Sequence, residues 1–160
     1  MSDVTYVINN AKFNYRVAAV IRADNKILIM TDQDLPYFYL PGGRVKINEK
    51  SIDAIRRELQ EELEIDCENA KILYINENFF KEDSISQSIH EICIYFEVHI
   101  KADSYIFEQE IFERAENGKL YIFKWQSIDT ISDTALYPLF IAKELVAENK
   151  EIKHIYSGLS

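Results

Sequence analysis

Four apolar residues, Ile52, Ile55, Leu59 and Leu63, recur at spacings of 3, 4 and 4. That period predicts a helix over residues 50–63 with one face to bury. The same stretch carries Glu58, Glu61 and Glu62 at i, i+3 and i+4. At ~100° per residue these carboxylates fall beside the apolar stripe and on adjoining rows of one flank. Such a helix must be covered along one side while it presents a crowded acidic edge next to the covering. Asn48 or Ser51 is placed to cap its start. Just upstream, Pro41-Gly42-Gly43 marks a turn at which backbone can approach that edge.

Around this helix the pattern shortens to that of strands. Residues 15–22 (YRVAAVIR) and 27–31 (ILIMT) are apolar runs joined by Ala23-Asp24-Asn25-Lys26, which reads as a β-hairpin. Residues 37–40 read as a short strand ended by the glycine turn, and residues 70–74, continuing toward Phe80, as another. Ile92, Ile94, Phe96, Val98 and Ile100 alternate with Cys93, Tyr95, Glu97 and His99, which predicts a long strand with one buried face. Asn117-Gly118 marks a turn before a strand over 120–125, and Pro138 opens a last helix over about 139–148. Strands, helix, strands, helix, with hairpins among them, predict an α/β fold with a mixed sheet flanked by helices. Without a repeat, linker or low-complexity tract, residues 1–160 are expected to form one domain.

Charge and composition narrow the ligands. Lys and Arg total 18 against 27 Asp and Glu, a formal net charge of -9. That argues against a nucleic-acid polymer as the main ligand, because such binding rests on basic patches that neutralise phosphates. A small phosphorylated ligand is different, since divalent cations can bridge it to carboxylates. Cys67 and Cys93 have no CxxC spacing and no His cluster, and they lie in or near apolar runs, so they read as buried free thiols. No apolar stretch reaches the ~20 residues that span a bilayer, and the N-terminal MSDVTYVINN lacks the basic and apolar regions of an export signal. The expectation is a cytoplasmic protein with no membrane partner, as a monomer or a homodimer.

Taken alone, RRELQEELE is what many solvated helix faces look like. Three features single it out: the crowding of like charges on one flank, the glycine turn upstream, and Glu49 in the intervening loop. With Gly43, Glu49, Arg57, Glu58, Leu59, Glu61, Glu62 and Ile65 in register, the stretch resembles the box of the Nudix hydrolases, Gly-x5-Glu-x7-Arg-Glu-U-x-Glu-Glu-x-Gly-U with U aliphatic. The departure is Glu64, where the box has glycine. Glutamate is a poor left-handed C-cap, so the helix end is expected to shift while the chemistry is kept.

The resemblance implies a Nudix α/β/α sandwich. It also implies a Mg²⁺- or Mn²⁺-dependent hydrolase that cleaves the diphosphate bond of a nucleoside diphosphate linked to another moiety. Residue by residue, it implies that Glu58, Glu61, Glu62 and the Gly43 carbonyl hold the metal. Glu58, Glu61 and Arg57 would be catalytic, Arg57 by orienting a catalytic glutamate, and Glu49 would be a structural partner. The general base stays open: a box glutamate free of metal, or one of Glu108, Glu110, Glu113 and Glu116, each of which reads equally as a solvated loop charge. Tyr39, among the aromatics Tyr37, Phe38 and Tyr39, is a candidate for stacking on the substrate, and Arg44, with Lys46, for contacting its phosphates. His90-Glu91 either faces the site or ends a strand in solvent, and Trp125 is expected to pack. Phe80-Lys81-Glu82-Asp83 lacks the proline and the tyrosine that mark ADP-ribose and diadenosine polyphosphate hydrolases. A nucleoside triphosphate or nucleotide sugar is left by elimination, with a non-catalytic nucleotide-sensing module as the alternative.

Overall fold

The computed structural model describes residues 1–82, 84, 86–147 and 151–158. Its frame is a strand that is apolar on both faces. Strand β2 (Ala11–Ala23) runs through Val17-Ala18-Ala19-Val20-Ile21, all at most 7% exposed. It follows β1 (Thr5–Ile8) and turns through Asp24 and Asn25 into β3 (Lys26–Asp32). This hairpin is the one that the sequence predicts. It pairs only at Arg22↔Ile27 and Ala23↔Lys26, so the two strands part at once. β3 continues with β8 (Lys119–Ser127) and β7 (Ile111–Glu116). β2 continues in parallel with β6 (Gln87–His99), then β5 (Asn69–Glu82) and β9 (Lys153–Ser157). The strand order is β7-β8-β3-β2-β6-β5-β9, with β1 and the short β4 (Gly42–Arg44) paired to β2.

Helix α1 (Ser51–Leu63) closes one face. Ala54, Ile55, Leu59 and Leu63 pack with Val17, Ala19, Ile21, Leu28, Met30, Phe96 and Val98. Ile52, which the periodicity places in the stripe, is only half-buried. Helix α2 (Phe140–Ala147) covers the opposite face, where Ile141 and Leu145 meet Ala18, Val20, Ile27, Ile29, Cys93 and Tyr95. The result is the α/β/α sandwich with a mixed sheet. Among the described residues no helix is long and apolar enough to cross a membrane.

Several expectations are corrected here. Strand β6 is buried on both faces, because β2 and β5 flank it and each side of the sheet carries a helix; Cys93 and Tyr95 belong to the α2 core. Residues 37–40 form isolated bridges, Met30↔Tyr39 and Phe38↔Leu136, while the strand lies one step on, in the supposed glycine turn. Lys50, not Asn48 or Ser51, is the N-cap of α1, with no side-chain cap bond. Cys67 is half-buried; Cys93 is buried, its thiol pushed up to about 12 chiefly by burial. Trp125 packs as expected, its Nε1 donating to Ile106 O at 2.8 Å. Strands β1, β7 and β9 were not legible in the pattern. Asp83, and the end of the last helix at Glu148, lie outside the described residues.

Candidate active site

The two glycines of β4 do different work. Gly42 pairs with Ala18 and Gly43 with Val17. A Cβ on Gly42 would run into the carbonyl oxygen of Val17, so this glycine permits the sheet to close. A Cβ on Gly43 would instead fall on the carboxylate of Glu58, so the missing side chain is the space that this carboxylate occupies. Gly43→Ala is accordingly expected to keep the fold, since a side-chain tip can move, and to cut turnover by at least about tenfold by displacing a charged group. Gly42→Ala meets fixed backbone and should lower the melting temperature instead. Circular dichroism melts beside steady-state rates separate the two outcomes.

Arg57 organises the residues around that space. Its Nε donates to Glu49 Oε1 at 2.7 Å and its Nη2 to Glu49 Oε2 at 3.0 Å, a forked pair. Nη2 also donates to the carbonyl of Arg44 at 2.9 Å, which ties β4 to the helix. Nη1 donates to Glu58 Oε1 at 2.8 Å and to Glu61 Oε2 at 3.2 Å. Glu49 accepts in addition the backbone N–H of Lys46 at 2.8 Å, so it pins the loop before α1. Hydrogen bonding from Arg57 holds the Glu49 carboxyl below its ordinary range, and the Arg57 guanidinium is raised in turn, first by Glu49. Burial pushes Glu58 up, with Arg57 pulling back.

Glu62 stands outside this network. Its Oε2 is buried without a hydrogen-bond partner, although the residue keeps some open surface. Burial raises its carboxyl well above the ordinary value, and the charges of Glu58 and Glu116 add to this. Arg16 and a backbone hydrogen bond from Gly42 oppose it. An orphaned carboxylate oxygen among like charges is what a cation would satisfy. Among the described residues, no three acidic, His or Cys side chains converge as a ready-made cage, because Glu58 and Glu61 turn to Arg57.

The other candidates divide. Tyr39 is half-buried, its phenol raised first by burial, then by Asp32 and Glu62. Arg44 approaches Asp3 at 3.6 Å through Nη1, and its Nε is buried without a partner. His90 is turned away, stacked on Phe79 at 4.4 Å on the face opposite Glu91. Of the four downstream carboxylates, Glu113 and Glu116 lie on β7 and not in a loop. Glu110 is drawn to Lys26 at 2.8 Å. Glu116 is the one whose charge reaches Glu62. Arg16 was missed by the sequence reading, since a single arginine inside an apolar strand carries no spacing signal.

Glu64 corrects a further expectation: the helix end does not shift. Glu64 takes the left-handed C-cap conformation itself, at φ 53° and ψ 40°, with its N–H on Gln60 O. Arg114 of β7 reaches its carboxylate at 2.7 Å, and the Tyr105 hydroxyl donates to Leu63 O at 2.6 Å. Glu64→Gly relieves ~1 kcal/mol of left-handed strain and loses an exposed ion pair worth ~0.5 kcal/mol. It should leave the melting temperature equal or slightly higher, and turnover within a few-fold.

Comparison with known proteins agrees with this layout. The NUDIX domain model matches residues 12–144. A crystal structure of a MutT protein from Bacillus halodurans superposes with a TM-score of 0.61 at 14% identity, covering 89% of each chain. A MutT NUDIX hydrolase from Burkholderia pseudomallei gives 0.57 at 22% identity, over 84% of this chain and 98% of that one. An ADP-ribose pyrophosphatase from Streptococcus suis gives 0.53 at 15% identity, over 90% and 98%. No curated protein matches the sequence significantly. A box whose carboxylates, glycine and arginine meet in space, on a fold shared with these structures and within a matching domain, places the chain in the NUDIX family of pyrophosphohydrolases.

Proposed function

We propose that the protein hydrolyses the diphosphate bond of a nucleoside diphosphate derivative with Mg²⁺ or Mn²⁺, a nucleoside triphosphate or nucleotide sugar being the favoured class. The observation that carries this reading is the orphaned, buried Glu62 Oε2 beside Glu58 and Glu116. A domain that only folded around its box would not keep such an oxygen without a partner. Glu58, Glu61, Glu62 and the Gly43 carbonyl would hold the ion. Bound there, a divalent ion supplies charge neutralisation on the diphosphate and a lowered pKa for an attacking water.

The chain's own groups then have distinct tasks. Arg57 fixes Glu58 and keeps Glu61 near it through one 3.2 Å bond. Glu61, 44% exposed, is the most easily turned of the three. Glu116, whose charge reaches Glu62, is the candidate general base outside the box. Arg44, whose side chain is 33% exposed, would contact a substrate phosphate, and Tyr39 would stack on the substrate.

A panel of nucleoside triphosphates, oxidised ones included, dinucleotides, nucleotide sugars and CoA, assayed with Mg²⁺, tests the reading. Release of monophosphate or pyrophosphate that stops in EDTA supports it. Rates unchanged in EDTA would sink the metal mechanism. Binding without turnover would favour a sensing module.

A further inference from the structure

Strand β1 leaves its outer side open and carries no charge. Among the described residues it pairs with β2 alone, from Thr5↔Asn14 to Ile8↔Ala11. No residue from Val4 to Asn10 is charged. Tyr6, Val7 and Ile8 are 54%, 56% and 61% exposed, and because side chains alternate along a strand they make both of its faces apolar. The outermost strands of the sheet differ. β7 carries Glu113, Arg114 and Glu116, and β9 carries Lys153 and His154. Charge on an edge strand discourages pairing with another chain, and β1 lacks that protection.

The backbone shows which residue such a pairing would use. Val4 directs both of its polar groups inward: its carbonyl accepts from Tyr15 N–H at 3.1 Å, and its N–H donates to Val45 O at 2.7 Å. Alternation along the strand then turns Tyr6 and Ile8 toward β2, and Thr5 and Val7 outward. Thr5 N–H is already taken by Asp3 O at 2.9 Å. Val7 is thus the residue whose outward N–H and C=O coincide with exposed apolar side chains.

We propose that β1 is the seam of a homodimer, in which two copies pair their β1 strands antiparallel across a two-fold axis at Val7. Val7 of each copy then exchanges both backbone hydrogen bonds with Val7 of the other, and the sheet runs on through the pair. Charge favours a second copy over a different partner. At a net charge of -9 two copies repel each other except through an uncharged strip, and β1 is one. A basic partner, which that charge would attract, finds no carboxylate on this strand. Lys12, opposite Val7 on β2, is no obstacle. Three strand spacings of ~4.8 Å keep the two Lys12 residues ~14 Å apart, beyond the ~8 Å screening length. The side chains continue as well. Tyr6, Phe13, His90 and Phe79 form one row in register across β1, β2, β6 and β5, with ring centroids 5.4, 5.4 and 4.4 Å apart. The row ends at the seam on Tyr6, whose open side the second copy would cover. Nothing in this proposal depends on the hydrolase reading.

Sedimentation equilibrium from ~1 to ~100 μM protein, which brackets micromolar dissociation constants, tests the seam. The mass of the wild type should rise with concentration from 18.8 kDa toward twice that value. Val7→Lys and Val7→Glu should each stay monomeric, because residue 7 faces its own copy and like charges then meet. An equal mixture of the two variants should recover the dimer, since opposite charges meet instead. Circular dichroism checks that both variants fold. If either does not, amide exchange of the wild type gives the answer: the Val7 amide should slow as concentration rises, while the Tyr6 amide, turned toward β2, should not change. A wild type that is monomeric throughout overturns the proposal. So does a dimer that survives both charged substitutions, or a Val7 amide whose exchange ignores concentration. A mixture that stays monomeric while the wild type dimerises overturns the pairing of Val7 with itself.

Discussion

Glu62→Gln should abolish metal-dependent hydrolysis and, in the same molecule, make the metal-free protein more stable at pH 8. The loss follows from removing a carboxylate that would hold the ion: several kcal/mol of charge stabilisation corresponds to a fall in kcat of about 10²–10⁴. The gain follows from burial. The folded-state carboxyl of Glu62 lies well above its ordinary value, raised first by desolvation and then by Glu58 and Glu116. A carboxyl raised on folding contributes stability that is fully present below its unfolded pKa and is lost as pH rises through its folded one. As pH rises above the ordinary carboxylate range the metal-free wild type thus carries a growing cost of burying this carboxyl with its unpartnered oxygen, and glutamine does not. Near pH 4 both side chains are neutral and the two melting temperatures should converge. Melts of EDTA-treated protein at both pH values check this. A variant that is less stable than wild type at pH 8 would show that Glu62 is satisfied by something other than a cation.

Arg57→Ala is the second large effect, on the fold and the reaction together. It leaves Glu49, 12% exposed, without its forked partner and frees the carbonyl of Arg44. Breaking a largely buried, hydrogen-bonded pair of this kind should cost about 2–3 kcal/mol. Because Arg57 holds the Glu49 carboxyl down, that stabilisation is present above the ordinary carboxylate pKa and is lost as pH falls through the lowered one. The gap between wild type and Arg57→Ala in urea denaturation should therefore be widest near pH 7 and narrow toward pH 3. Turnover should fall by at least about 10²-fold, since Glu58 and Glu61 lose the group that aims them. Arg57→Lys should recover part of the stability and little of the rate, because a point charge cannot bond Glu49 with a fork and reach Glu58 as well. A lysine variant at wild-type rate would show that the fork serves the fold alone.

What could be read from residue order was what depends on short range. The 3-4-4 apolar spacing gave α1 and its buried side, and Glu58, Glu61 and Glu62 came with it, because helix geometry alone sets their flank. The 15–31 hairpin was legible for the same reason, since its turn and both runs are contiguous. The failures have long-range causes. Which face of β6 is buried depends on α2 and on both neighbouring strands, so the alternation of Ile92 to Ile100 described only one side. Glycine marks freedom of conformation, not its use, so Gly42 and Gly43 read as a turn where β2 was available to pair with them. Glu64 looked like a break in the box until Arg114 and Tyr105, from later in the chain, were found holding that helix end.

By itself the sequence determined a reaction type: a helix flank of carboxylates with an arginine and a glycine in register. Only the tertiary structure decided which of these groups is bonded and which is left over. Arg57 binds Glu49, Glu58 and Glu61, and Glu62 keeps an orphaned oxygen, because burial and partner choice are properties of what packs around a residue and not of its place in the chain. The same holds for Arg16 and Glu91, which are remote in sequence and become neighbours only because β2 and β6 pair in parallel.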